Sequence, residues 1–71
     1  MSGYHALPAR NGWKVHRAGN SRATVTGLTE AEAWREARRR ARGRRVPAYL
    51  HGRDGRIATR NDYRDHPRSD G

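Results

Sequence analysis

The segment Thr29-Glu30-Ala31-Glu32 constrains this chain more than any other stretch, because it fixes where a helix must begin. A Thr at the N-cap with Glu three residues on is a capping box. The hydroxyl takes the backbone N–H at N3, and the N3 carboxylate reaches back to the N-cap N–H. Glu30 and Glu32 suit the positive end of the helix dipole, and the arginines that follow suit the negative end. Gly43 is the expected C′ stop. At 100° per residue, Ala33, Ala37, Ala41 and Trp34 share one arc of about 100°, the width of a core-facing stripe. Three alanines and one tryptophan make that stripe thin, so the helix can sit close on a sheet, with Trp34 filling a gap at one side.

The strands to meet it are punctuated by turn residues. Tyr4 to Ala9 reads as a short extended stretch that Pro8 confines to an edge or an end of a sheet, and Asn11-Gly12 is a hairpin-type turn signal. Trp13-Lys14-Val15-His16-Arg17 alternates with period two, placing Trp13, Val15 and Arg17 on one face and Lys14 and His16 on the other. Gly19-Asn20 turns the chain, and Arg22 to Val25 is compatible with a third short strand. After the helix, Pro47 to His51 reads as a strand, Gly52-Arg53-Asp54-Gly55 as a tight turn and Arg56 to Arg60 as the returning strand. Ala48, Leu50 and Ile57 are expected toward the helix, Tyr49 and His51 away from it. The predicted fold is α+β, a small antiparallel sheet with one helix packed on one face, in the order ββ(β)αββ.

Size sets the scale of the core. With 71 residues, 32% of them hydrophobic and no Phe, the chain has room for one domain, residues 1–71, burying roughly 60% of the surface its unfolded form exposes. Trp13, Trp34, Val15, Leu50 and Ile57 are the expected core. Order is expected over about residues 4–62. The tail from 63 to 71, with His66-Pro67-Arg68-Ser69-Asp70-Gly71, has almost nothing to bury and is expected to be flexible. No Cys is present, which excludes disulfides, a thiolate nucleophile and cysteine-based metal sites. The longest apolar runs are far shorter than the ~20 residues of a membrane span. The Met-Ser-Gly-Tyr-His opening lacks the apolar core of a signal peptide. The expectation is a cytoplasmic protein with no membrane partner.

Charge points to the partner. Lys+Arg number 16 against 7 Asp+Glu, a net charge of +9, and every cation except Lys14 is Arg. Arg presents a planar fork of donors that suits phosphate, whereas Lys is a hydrated point charge. A genome rich in Arg codons accounts for Arg over Lys but not for the surplus of positive charge, which opposes compaction in so small a domain. An anionic partner relieves that repulsion.

The residues Tyr4-His5, Pro8, Gly12-Trp13-Lys14-Val15, Arg22-Ala23, Thr29, Glu32-Ala33 and His51-Gly52-Arg53-Asp54-Gly55-Arg56-Ile57 together resemble the small bacterial and phage proteins grouped as domain of unknown function 2188. Asn61-Asp62-Tyr63, with Asp65 and Pro67 beyond, is similar to that family's Asp-Ser-Tyr-Gly-x-Asp-Pro ending. The chain departs from it in following Tyr63 with Arg64 rather than Gly, and in placing Pro47 where a polar residue is usual. The resemblance spans roughly residues 4–67, with the His-Gly-Arg-Asp-Gly-Arg-Ile run its most specific part. It implies the layout above and carries no activity.

Three constellations are candidates for chemistry. Arg35, Arg38, Arg39 and Arg42 fall between about 140° and 240° on the helical wheel, opposite the apolar stripe, and Arg44 and Arg45 extend the run. Like charges at i,i+3 and i,i+4 repel by a few tenths of a kcal/mol per pair, which Glu32–Arg35 and Glu36–Arg40 pairs would offset. Such a face reads either as a solvated helix surface or as a phosphate-binding one, where counterion release drives affinity. The sheet face turned from the helix, with Lys14, His16, Tyr49 and His51, reads as a solvated side, a surface for a second copy, or a strand surface gripping a backbone and stacking a base. In the Gly52–Arg56 turn, Arg53 and Arg56 with free backbone N–H groups would suit a phosphate, while Asp54-Gly55 is ordinary hairpin chemistry.

Enzymatic readings find little support. His51 with Asp54 is a weak metal pair, and His51, Asn61 and His66 lack the cradle of a His-Asn-His nuclease. No Gly-rich phosphate loop with Lys-Ser/Thr is present. The expectation is therefore no enzyme, no cofactor and no metal. The chain reads as a small basic module that binds nucleic acid, DNA over RNA, through the backbone with little sequence specificity. The alternative is a regulatory or accessory module docking on an acidic protein, and homodimerisation is a third use of the same surfaces.

Overall fold

The computed structural model describes residues 3–20 and 22–63. Five strands and one helix follow in the order β1 (Tyr4–Ala9), β2 (Gly12–Arg17), β3 (Val25–Leu28), α1 (Glu30–Arg44), β4 (Ala48–His51) and β5 (Ile57–Asn61). The expected flexible tail, His66 included, lies outside the described residues apart from Tyr63.

The sheet is mixed rather than antiparallel. Its spatial order is β3-β2-β1-β4-β5, with β1 and β4 parallel and every other pair antiparallel. The helix causes this: it lifts the chain off β3 at one edge and returns it on the far side of β1, and such a crossover delivers parallel strands. β1 thus becomes the central strand despite Pro8. Its pairing with β4 covers only Tyr4 to Ala6, so Pro8 sits where β1 has one neighbour, and its missing N–H breaks no ladder.

Alternation then sorts the side chains. Tyr4 and Ala6 from β1, Trp13 and Val15 from β2 and Ala48 from β4 are buried against Ala33, Ala37 and Ala41 of the helix. Val25, Leu28, Trp34, Val46, Leu50 and Tyr63 pack around them half-buried. Trp13 and Tyr4 are the large side chains of this core, and Val15 and the alanines are fully enclosed between them. The helix can lie low on the sheet because its contact stripe is alanine.

Four expectations are corrected. The β1–β2 loop is Arg10-Asn11 rather than Asn11-Gly12, since Ala9 pairs with Gly12. The third strand begins at Val25, later than the predicted Arg22, and its register partners on β2 are Val15 for Val25 and Trp13 for Leu28. Ile57 is 54% exposed instead of buried. A register irregularity between Leu50 and His51 sets Ile57 opposite His51, off the alternation that would have turned it to the helix. Finally, Gly43 stays inside the helix, and the left-handed cap is Arg45 at φ 59°, ψ 48°. Its N–H and that of Val46 close on Arg42 and Ala41. Pro47 bars the helical region to Val46, so the stop falls beside the proline and not at the glycine.

A candidate anion-binding surface and a histidine-bearing sheet face

The predicted binding residues occupy two opposite sides of the molecule and one end. The sheet lies between the helix arginines on one side and Lys14, His16, Tyr49 and His51 on the other, so no single ligand surface includes them all.

On the helix side the capping box forms as predicted. Glu32 N–H donates to Thr29 Oγ1 at 3.1 Å, and Thr29 N–H donates to Glu32 Oε1 at 2.9 Å. The Thr29 backbone N–H, the Thr29 side chain and the charge of Arg35 hold the Glu32 carboxyl below its ordinary pKa. Because the cap takes that carboxylate, Glu32 and Arg35 form no ion pair, contrary to expectation. Glu36 instead gathers two cations: Arg39 grips it with two hydrogen bonds, of 3.2 and 2.6 Å, and Arg40 Nε donates at 2.7 Å. The Arg39 hydrogen bond, followed by the Arg39 charge and the Arg40 interactions, holds the Glu36 pKa down. Arg38 lies along Trp34, its guanidinium carbon 5.2 Å from the ring centroid and its Nε donating to the Trp34 carbonyl at 3.4 Å. That arrangement covers the apolar flank of the stripe. Arg42, Arg44 and Arg45 are exposed and form no ion pair among the described residues. The free positive charge therefore concentrates at the helix C-terminal end.

The Gly52–Arg56 turn uses its own donors. Gly52 N–H donates to Arg56 O, Gly55 N–H to Gly52 O, and Arg56 N–H to Asp54 Oδ1. Those three N–H groups are already engaged within the turn and cannot hold a phosphate, and Arg53 and Arg56 remain as exposed side chains.

On the opposite face, the register lines up His16, His5, Tyr49 and Arg60 across β2, β1, β4 and β5. His5 stacks on Tyr49 with centroids 4.7 Å apart and an 18° tilt. Arg60 approaches the same ring from the β5 side at 6.0 Å and pairs with Asp62 at 2.7 Å. Tyr49 thus lies between a stacked imidazole and a guanidinium contact. His5 Nδ1 lies 2.8 Å from His51 Nε2. Burial first, then the neighbouring His51 and His16, lowers the His5 pKa. His5 and Arg60 are the residues that sequence reasoning missed. Alternation from Tyr4 and Ala6 would have placed His5 outward, but nothing in one sequence announces that β1 and β4 are neighbours.

No helix among the described residues is long and apolar enough to cross a membrane. No curated protein and no solved structure matches the chain. The model of a family described as uncharacterized protein conserved in bacteria matches residues 4–63. That span takes in the whole sheet and the helix, and the chain belongs to this bacterial family, domain of unknown function 2188.

Proposed function

We propose that this domain binds nucleic acid through the outer side of α1, with duplex DNA in the bacterial cytoplasm as its target and little sequence specificity. The observation that carries the reading is the exposed group Arg42, Arg44 and Arg45, which has no acidic partner among the described residues. Arg35 flanks it. Arg39 and Arg40 are held by Glu36, but the Arg39 pair is exposed and such pairs are weak and screened by salt, so phosphate can recruit Arg39. Phosphate contacts of this sort neutralise backbone charge and carry no base information.

The backbone at Arg45 adds support. A non-glycine residue in the left-handed region costs about 1–2 kcal/mol, and glycine would suit that cap better. An arginine there places a cation at the end of the array at a cost in stability.

The test is fluorescence anisotropy of a labelled duplex of about 25 base pairs, titrated at about 50 and 200 mM salt. The expected result is binding that collapses at the higher salt. The R42A/R44A/R45A variant should weaken binding on all sequences alike and flatten the log–log salt slope by about 0.9 for each phosphate that is no longer neutralised. No binding by folded protein at the lower salt, or an unchanged slope in the variant, would overturn the proposal. Docking on an acidic protein or on a second copy would then become the leading use of the surface.

A further inference from the structure

We propose that His5 and His51 form a two-imidazole site for a divalent late first-row transition ion, Cu2+ or Zn2+, on the sheet face opposite the helix. Sequence reasoning expected no metal here and weighed His51 only with Asp54 or with Asn61 and His66. In the fold Asp54 Oδ1 accepts the Arg56 N–H, and His5 from the central strand meets His51.

The geometry fits the chemistry of the ion. His5 Nδ1 and His51 Nε2 are 2.8 Å apart. Two nitrogens bound at about 2.0–2.1 Å and subtending 90–109° at one ion lie about 2.8–3.4 Å apart. The rings now meet nearly end-on, with centroids 5.0 Å apart and planes tilted by 39°, and rotating both so that their lone pairs converge turns the hydrogen-bonded pair into a chelating one. The tautomers are also arranged. His51 Nδ1 faces the Gly55 carbonyl at 3.4 Å; a carbonyl only accepts, so the tautomer that uses this contact carries its proton on Nδ1 and presents the Nε2 lone pair to His5. A carbonyl behind a metal-binding imidazole is the usual outer-shell arrangement. His5 Nδ1–H then donates to His51 Nε2. On binding, the ion takes the place of this bridging proton, and His5 carries its proton on Nε2 instead.

His5 is held for the task by Tyr49, stacked on it at 4.7 Å. The register irregularity beside His51 and the hydrogen-bonded Gly52–Gly55 turn bring the Gly55 backbone to the His51 ring. Among the described residues no cluster of three or more His, Cys, Asp or Glu surrounds the pair, so the proposed site has two protein ligands there and leaves its other positions open to water. Imidazole favours Cu2+ over Zn2+ in the usual order of divalent ions.

The decisive measurement is Zn2+ titration of the full chain, followed through imidazole 15N resonances, with Cu2+ affinity measured by competition. His5 Nδ1 and His51 Nε2 should shift together. H5Q and H51Q should each weaken Zn2+ binding at least about tenfold, while H16Q and H66Q should stay within about twofold of wild type. The wild-type spectrum reads the site even if a variant folds poorly. Resonances of His5 and His51 unmoved by Zn2+, or affinity lost in H16Q or H66Q instead, would overturn the proposal. Duplex binding by the helix side is a separate readout and can fail or succeed independently.

Discussion

Replacing Gly12 with Ala tests how the edge of the sheet is closed. Gly12 sits at φ +129°, and a Cβ built there would lie 2.6 Å from the Leu28 carbonyl oxygen on β3. Two costs add. A side chain in that backbone region is strained by about 1–3 kcal/mol. Relieving the overlap means pushing β3 outward against the packing of Leu28, and overpacking of this kind costs about 1–3 kcal/mol. Loss of glycine entropy in the unfolded chain returns about 0.4–1 kcal/mol, leaving a net destabilisation of about 1–5 kcal/mol. Stabilities of about 0.05–0.15 kcal/mol per residue imply that this is a large share of the total. Urea unfolding followed by tryptophan fluorescence would measure it, with Gly27→Ala as the control. Gly27 also has positive φ, +76°, but nothing lies within 4 Å of its added Cβ, so only strain applies. Equal losses of stability in the two variants, within about 0.5 kcal/mol, would refute the overlap with β3 as the cause.

Two further outcomes are expected. Glu32→Gln removes a carboxylate whose pKa is depressed in the fold by the Thr29 backbone N–H first. A depressed carboxylate stabilises above its unfolded pKa and stops doing so as pH falls through its folded value. The wild-type advantage over E32Q in chemical denaturation should therefore be full at neutral pH and vanish progressively below about pH 4.5; a constant gap down to pH 2 would contradict the capping box. Arg45→Gly relieves a left-handed residue and should stabilise the domain by about 1 kcal/mol while weakening duplex binding, both measurable on one preparation.

Local signals are legible wherever the deciding chemistry lies within a few residues. The capping box needs only Thr29 and Glu32, and the alanine stripe needs only the helical period, so both appear in the structure as expected. The alternation of Trp13 and Val15 against Lys14 and His16 is equally local. What one sequence does not announce is adjacency across the crossover. The parallel pairing of β1 with β4 depends on where the helix sets the chain down, and with it go the central position of a proline-bearing strand and the meeting of His5 with His51. Ile57 shows a second limit, because a single register irregularity turns an apolar residue expected in the core to the solvent side.

The same physics links the thin core to the charged exterior. An alanine stripe lets the helix lie low on the sheet, but alanines bury little area, and the hydrophobic contribution scales with area. Little stability is then left to offset repulsion among the helix arginines. The fold answers locally: Glu36 holds two of them, Trp34 carries a third, and the cap takes Glu32. Arg42, Arg44 and Arg45 have no such partner among the described residues, and Arg45 occupies a left-handed backbone position that a glycine would fill more easily. A glycine at position 45 would relieve the left-handed strain and remove one of the unpaired cations at once. Their coincidence at one exposed terminus makes that terminus the place where a polyanion is expected to bind.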